Sequence, residues 1–153
     1  MPRELRLQWR GVHILVIGAG AFGAWTAHHL EAAGAQVTLV DAYGPANARA
    51  SSGDESRIIR CGYGPDTIYS RWARRSLGLW HELFDRVGRG QAPLFHGCGG
   101  LWLAGGDDPY TTATIDTLRR EQYPVELLDR ESLRTRFPHI DAHDVGIGLF
   151  ERD

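Results

Sequence analysis

The sequence predicts an α/β fold that opens with a β-strand, an α-helix and a second strand. The stretch "GVHILVIG", residues 11–18, is short, apolar and β-branched, which is typical of a parallel strand covered on both faces. The alanine-rich residues 21–33 have helical spacing and end at Gly34, and "QVTLV", residues 36–40, indicates the next strand. These three segments together predict a βαβ unit.

The turn between the first strand and the helix has the spacing G-x-G-x-x-G at Gly18, Gly20 and Gly23. The first glycine permits a tight turn, the second lets the backbone approach a pyrophosphate, and the third lets the helix pack on the strand. The phosphates of such a ligand lie at the helix N-terminus, where free N–H groups favour negative charge. Asp41 ends the second strand, where a carboxylate would accept hydrogen bonds from a ribose. We therefore predict a Rossmann-like dinucleotide-binding unit, and Asp41 disfavours the phosphorylated ribose of NADP.

The pattern changes after the second strand. Residues 42–56 lack apolar periodicity and predict a long loop, whereas apolar residues at helical spacing predict a helix over 67–87 that ends at Gly88 and Gly90. The apolar face of this helix would comprise Ile68, Trp72, Leu79, Trp80, Leu83 and Phe84. Next come two short strands at a hairpin-like turn ("PLFHG" and "GLWLAG"), a helix ("PYTTATIDTLRREQ"), a strand ("PVELL") and a helix capped by Asp129 and stopped at Pro138.

Composition restricts the possible partners. A net charge of -2 gives no general attraction to nucleic acid or to an acidic membrane, and no segment reaches the roughly 18 apolar residues of a membrane span. All seventeen basic residues are arginine, so an anionic ligand must be bound by arginine, histidine or backbone N–H groups. Cys61 and Cys98 lack the density of a disulfide scaffold, which favours a cytoplasmic protein. A signal peptide starting with Arg3, Arg6 and Arg10 explains the glycine spacing less well.

The histidines and one basic run give no site of their own. His28 and His29 lie inside the first predicted helix, and His139 and His143 lack the spacing of metal ligands, so we predict no metal. The basic run is predicted to be the solvated face of the long helix. It comprises Arg71, Arg74 and Arg75.

The segments after the glycine turn resemble the amino-acid-oxidase-like family of FAD-dependent amine oxidoreductases, most closely its monomeric sarcosine oxidase and N-methyltryptophan oxidase branch. The resemblance includes the glycine spacing, Asp41, the pair Ser51-Ser52 and the segment "SRIIR" at residues 56–60. It continues through the helix with "LW-EL" and from "GGLWL" to "LFERD", and so covers nearly the whole chain.

This resemblance implies FAD as the cofactor and a small amine or amino acid as the substrate. Enzymes of this group oxidise the C–N bond of secondary or N-methylated amino acids by hydride transfer to the flavin, and oxygen or another acceptor then takes the electrons. The implied fold is an FAD-binding domain, here residues 1–90, interleaved with an α+β substrate domain that begins in residues 91–153. Family members are considerably longer, so we expect this chain to be an N-terminal fragment or a truncated reading frame.

The resemblance also assigns site residues. Arg57 would lie against the flavin and Arg60 would pair with the substrate carboxylate, since a guanidinium binds a carboxylate through two parallel hydrogen bonds. Ile58 and Ile59 would pack against the fold. The residues expected to contact the cofactor are Gly18, Gly20, Ala21, Phe22, Gly23, Asp41, Ala42, Ser51, Ser52 and Arg57.

Several alternatives stay open at this point. Both arginines could be ordinary ion-pair partners of Asp54, Glu55 or other acids. An NAD-dependent dehydrogenase would use the same glycine turn, but it would need further alternating strands and helices after Asp41. A noncatalytic dinucleotide-binding or partner module is the third alternative, because the chain is much shorter than the family members it resembles.

Overall fold

The computed structural model describes residues 9–88 and 94–152, which divide between two compact units. The first unit spans Met1–Arg57 and the second spans Ile58–Asp153. The predicted domain boundary near residue 90 stays a prediction. Some residues named in the sequence predictions lie outside the described ranges: Arg3, Arg6, Gly90 and Pro93.

The first unit has the predicted βαβ arrangement. Strands β1 (His13–Ile17) and β2 (Gln36–Val40) pair in parallel, and helix α1 (Ala21–Ala32) connects them. Gly34 follows the C-terminal end of α1 with a φ of 99°, a left-handed conformation that favours glycine. The predicted stop of this helix is therefore confirmed.

Strand β1 is covered on one face, which corrects the prediction that both faces are buried. Ile14 and Val16 are half-buried, whereas Leu15 and Ile17 are 59% and 80% exposed. Successive strand residues point to opposite faces, and α1 packs against the strand pair from one side. The apolar composition of β1 predicted burial of both its faces, but a single helix covers only one of them.

The second unit combines helices with a three-stranded antiparallel sheet. Its elements are α2 (Thr67–Val87), β3 (Gly100–Ala104), α3 (Pro109–Arg120), β4 (Val125–Leu128), α4 (Arg130–Arg136) and β5 (Ile147–Glu151). The strand order is β3-β5-β4, so the last strand of the chain is central. A parallel βαβ unit followed by an antiparallel sheet with helices confirms the predicted α/β fold class.

Two sequence predictions about this sheet are wrong. The described part of "PLFHG", residues 94–97, forms no strand, and β3 pairs with β5 instead of with the segment before it. Strand β5, "IGLFE", was not predicted. Its glycine and its terminal glutamate interrupt the apolar alternation by which a strand is recognised.

Two apolar clusters lie on the two faces of β5. One contains Leu149 and the other contains Phe150, because neighbouring strand residues point to opposite faces. Glu151 therefore shares the face of Leu149. The buried members of the first cluster are Cys61, Ile115, Leu118, Tyr123 and Leu149. Those of the second are Leu128, Leu133, Ala142 and Phe150.

The buried side of α2 differs from the predicted one. Ser70 and Leu77 are buried, whereas Ile68 and Trp72 are 54% and 58% exposed. At about 100° per residue, Ile68 and Trp72 lie on the side of the helix opposite Ser70 and Leu77. The other predicted members of the apolar face, Leu79, Trp80, Leu83 and Phe84, are half-buried.

The arginine run of α2 is exposed, as predicted. Two of its arginines also form hydrogen bonds with the residue at the end of α3. Arg71 donates hydrogen bonds of 2.7 and 2.8 Å to the two carboxylate oxygens of Glu121. Arg74 donates to the Glu121 carbonyl oxygen at 3.2 Å. These arginines lower the pKa of Glu121, and the hydrogen bond from Arg71 is the largest cause.

Candidate functional site

The glycine turn between β1 and α1 uses each glycine differently. Gly18 has a φ of +100°, and its N–H donates to the Val40 carbonyl at 2.8 Å, which joins the turn to β2. A Cβ on Gly23 would collide with the Gly18 carbonyl, so α1 starts in direct contact with the turn. Gly20 is extended, and a Cβ there would lie 3.3 Å from Ser52 Oγ. Gly18 and Gly23 therefore have the turn and packing roles that the sequence spacing predicts, whereas the approach of a pyrophosphate at Gly20 stays a prediction.

The N-terminus of α1 is suited to an anion. Gly20 is the N-cap and provides no side-chain acceptor, and the first helical turn contains no acidic residue. The N–H of Ala21 donates to Ser52 Oγ at 3.0 Å, so the loop after β2 reaches this helix end. Phe22 is 93% exposed at the same place. The helix dipole at such an N-terminus favours negative charge, which a pyrophosphate would supply.

Asp41 connects the end of β2 to the glycine turn. Its Oδ2 accepts the Ala19 N–H at 2.8 Å, and its Oδ1 accepts the Tyr43 N–H at 2.8 Å and Asn47 Nδ2 at 3.4 Å. The Ala19 bond, followed by the Tyr43 bond, lowers the pKa of Asp41. An ionised carboxylate offers about four lone-pair sites, so three donors leave capacity for a ribose hydroxyl.

The loop after Asp41 is organised by Asn47, which the sequence analysis did not single out. Its side chain donates to the Gly44 carbonyl at 2.7 Å and accepts the N–H groups of Arg49 and Ala50 at 3.0 Å each. Asparagine side chains commonly form hydrogen bonds with the backbone two or three residues ahead. An asparagine in a loop could therefore have predicted this turn from the sequence. Two other predicted contact residues of the loop, Ala42 and Ser51, are exposed.

Arg57 and Arg60 lie in different units and have different environments. Arg57, in the first unit, is 3.9 Å from Asp54, and both side chains are about two-thirds exposed, at 60% and 65%. An exposed pair at this distance contributes little. Ile58 is 84% exposed, so the prediction that it packs against the fold is wrong, whereas Ile59 is half-buried. Ile58 is the first residue of the second unit.

Arg60, in the second unit, lies over two aromatic rings. Its guanidinium carbon is 4.6 Å from the ring centre of Trp102 and 4.8 Å from that of Tyr63. Its Nη1 makes a long, 3.4 Å contact to the Gly62 carbonyl. Within residues 9–88 and 94–152, no carboxylate lies at ion-pair distance from Arg60. The ion-pair alternative is therefore met at Arg57, by Asp54, and not at Arg60 within these ranges, so the Arg60 charge has no acidic partner there.

The residues around Arg60 are held by a buried acid that the sequence analysis missed. Glu151 is 1% exposed and accepts hydrogen bonds from the N–H groups of Cys61 and Gly62 and from Trp102 Nε1. It lies 90 residues from Cys61 in sequence, so no local pattern connects them. The only sequence signal was an acid at the end of an apolar stretch.

The remaining candidate residues form no further centre within the described ranges. His28 and His29 pack with the ring of Trp25, and His143 is an exposed partner of Asp144. No group of three or more potential metal ligands occurs in the described parts of the chain. The described helices include none with the length and apolar character that crossing a membrane requires.

Comparison with known proteins extends these observations. The profile of the FAD dependent oxidoreductase family matches residues 13–153. Monomeric sarcosine oxidase from Streptomyces avermitilis is 33% identical over 139 residues, which are 91% of this chain and 35% of that protein. N-methyl-L-tryptophan oxidase from Salmonella arizonae is 32% identical over 140 residues, which are 92% of this chain and 37% of that protein. The chain thus spans slightly more than a third of the length of the curated relatives it matches.

A solved structure agrees with this grouping at the level of the fold. L-proline dehydrogenase from P. horikoshii matches 94% of this chain and 37% of its own, with a TM-score of 0.71 and 23% identity. The family match, for its part, runs from β1 through the glycine turn and the arginine segment. The chain therefore belongs to the family of FAD dependent oxidoreductases, whose cofactor is FAD.

Proposed function

We propose that this chain supplies the FAD-binding turn and a carboxylate-binding arginine to an enzyme that oxidises the C–N bond of a secondary or N-methylated amino acid. The observation that carries the substrate class is the guanidinium of Arg60, which lies over two rings and has no acidic partner among the described residues. Two relatives are named for sarcosine and N-methyl-L-tryptophan, which are both N-methylated amino acids.

The first unit would bind the adenosine and pyrophosphate part of FAD. Gly18, Gly20 and Gly23 shape the turn, and the start of α1, at Ala21 and Phe22, would lie next to the phosphates, with the Ala21 N–H already bonded to Ser52 Oγ. Asp41 would accept ribose hydroxyls, as its remaining lone-pair capacity allows. Three further contacts come from the loop at Ala42, Ser51 and Ser52.

The two arginines would act at the reacting end of the cofactor. Bound FAD would supply the acceptor for a hydride from the carbon next to the amine nitrogen. With loss of the N–H proton the C–N single bond would become an imine, and oxygen or another acceptor would take up the electrons. Arg57 would lie against the flavin as a fixed positive charge. Arg60 would hold the substrate carboxylate through paired N–H donors, which orients the amine end of the substrate.

The NAD-dependent alternative is set aside. The matching family uses FAD, and β2 is followed by a loop, the long helix α2 and an antiparallel sheet instead of further alternating strands and helices. We further propose a cytoplasmic location and small-molecule partners only, without nucleic acid or membrane. Two cysteines and a net charge of -2 support that proposal.

Substitution of Arg60 tests the proposed substrate class. Arg60→Lys keeps the charge but loses the two-pronged donor geometry. In FAD-loaded protein mixed with N-methylglycine without oxygen, the rate of loss of the flavin absorption band should fall at least about tenfold, or about 1.4 kcal/mol. Dimethylamine, which lacks the carboxylate, should be affected much less.

Arg71→Lys is the matched control, because Arg71 is exposed and bonded to Glu121, and it should leave both rates unchanged. Equal losses for the two amines in Arg60→Lys would show that Arg60 supports the flavin or the fold. FAD that binds but is never reduced by either amine would favour a noncatalytic dinucleotide-binding module.

A further inference from the structure

The carboxylate of Glu151 joins two segments that flank Arg60. Its Oε2 accepts the Cys61 N–H at 2.7 Å, and its Oε1 accepts the Gly62 N–H at 3.1 Å and Trp102 Nε1 at 2.8 Å. All three partners can only donate, so each depends on an oxygen of Glu151. Glu151 is 1% exposed, so water cannot replace its carboxylate. Loss of the carboxylate would leave buried N–H donors without an acceptor.

Packing around this carboxylate leaves little freedom. A Cβ on Gly62 would lie 2.8 Å from Glu151 Oε1 and 2.9 Å from Thr114 Cγ2, so the turn after Arg60 fits closely against the acid. Leu149, two residues before Glu151 on β5, belongs to the apolar cluster that includes Cys61. The acid is therefore anchored by the central strand of the sheet.

Trp102 contacts both Glu151 and Arg60. Its indole N–H is bonded to Glu151, and its ring centre is 4.6 Å from the Arg60 guanidinium carbon. Tyr63, which follows the bonded turn, places a second ring 4.8 Å from the same carbon. A cation over aromatic rings is attracted by their π-electrons, and a ring fixed at its N–H holds the cation in a fixed place.

We propose that Glu151 and Trp102 are positioning residues for Arg60: the buried carboxylate fixes the indole and the Cys61-Gly62 backbone, and the two rings then hold the guanidinium ready for a carboxylate. The consequence for substrate binding rests on the proposed function of Arg60. Its physical basis is that an arginine ordered in advance loses less conformational freedom when a ligand binds.

The geometric part is tested by NMR on the whole chain, without FAD. In the parent protein, the ring currents of Tyr63 and Trp102 should shift the Arg60 side-chain signals away from those of a free arginine. Glu151→Gln places an N–H₂ group against at least one N–H donor. It should move the Arg60 and Trp102 indole signals and speed hydrogen exchange at Cys61 and Gly62 by about tenfold or more.

Glu126→Gln is the matched control, since Glu126 lies on β4 and bonds Arg136 and Arg152 instead of the Arg60 turn. If Glu151→Gln does not fold, Trp102→Phe replaces it, because phenylalanine keeps a ring but loses the indole donor. A folded Glu151→Gln protein with Arg60 signals and exchange rates like those of Glu126→Gln would overturn the inference. In the replacement variant, unmoved Arg60 signals would overturn it equally.

The functional part is tested by titration with N-methylglycine and dimethylamine. The Arg60 signals of the parent should respond to N-methylglycine only, and Glu151→Gln should weaken that binding by about three- to tenfold, the cost of ordering one long side chain. Unchanged affinity in Glu151→Gln would contradict the positioning role. A parent protein that ignores N-methylglycine would instead refute the proposed role of Arg60, and the geometric experiment would still decide the inference.

Discussion

Asp41 illustrates how one side chain can serve both the fold and a ligand. Its two oxygens accept the backbone N–H groups of Ala19 and Tyr43, which join the glycine turn to the loop after β2. With the longer Asn47 contact, three of about four acceptor sites are used. The carboxylate is therefore already oriented by the protein before a ribose hydroxyl reaches the remaining site.

Removal of this carboxylate should weaken FAD binding. We expect Asp41→Ala to raise the dissociation constant for FAD at least about tenfold, as for loss of a hydrogen bond to a charged group. Quenching of flavin fluorescence during titration measures this constant. Asp54→Ala, at an exposed acid paired only loosely with Arg57, serves as the control and should bind FAD normally. Equal affinity in both variants would make Asp41 a purely structural acid.

At the scale of elements, the helix ends follow local chemistry that a sequence reveals. Asp129 Oδ1 accepts the Ser132 N–H at 2.8 Å at the start of α4, as predicted, and Asp108 Oδ2 accepts the Thr111 N–H at 2.7 Å at the start of α3. These N-cap bonds satisfy N–H groups that the helix itself leaves unpaired.

Loss of one cap should lower thermal stability measurably. Asp129→Ala should reduce the Tm of the second unit by about 2 to 8 °C, the typical cost of an N-cap. Asp107→Ala removes an exposed acid next to a cap residue and should change the Tm far less. Circular dichroism during heating gives both values. A loss in Asp107→Ala as large as that in Asp129→Ala would argue against capping and for a general charge effect.

The elements also show how far the sequence could predict this fold and site. Periodicity and glycine spacing predicted β1, α1, β2 and the bounds of α2, because those signals act over a few residues. Strand β5 and the bonds of Glu151 were missed, since they depend on contacts between residues as much as 90 positions apart. Ile68 was predicted to lie on the buried face of α2, but its side chain is exposed. Composition does not reveal which of two helix faces contacts the core.

At the scale of the whole molecule, acidic side chains couple stability to pH. Within residues 9–88 and 94–152, five carboxyl groups have pKa values lowered by hydrogen bonds from backbone N–H groups, side chains or arginines. They are Asp41, Asp108, Glu121, Glu126 and Asp129. A carboxyl with a lower pKa in the folded than in the unfolded state stabilises the fold above its unfolded pKa. That contribution disappears as the pH falls through the folded value.

Stability should therefore be lost on the acid side. We expect the urea midpoint to change little from about pH 7 to 5 and to fall steeply below about pH 4, where unperturbed carboxyls begin to protonate. Asp108→Asn should make this acid limb shallower, because it removes one of the five groups, whereas Asp107→Asn should not. A midpoint that stays constant or rises down to about pH 2 would contradict this linkage.

Titration of the purified chain with FAD tests the central claim most directly. The account predicts that FAD binds and that Gly20→Val abolishes binding, because a side chain there would enter the space that we assign to the pyrophosphate. Gly78→Val is the matched control, since a Cβ at Gly78 meets nothing within 4 Å, and it should bind FAD like the parent. Circular dichroism must show both variants folded. Parent-like FAD affinity in folded Gly20→Val would show that the glycine turn does not hold the phosphates.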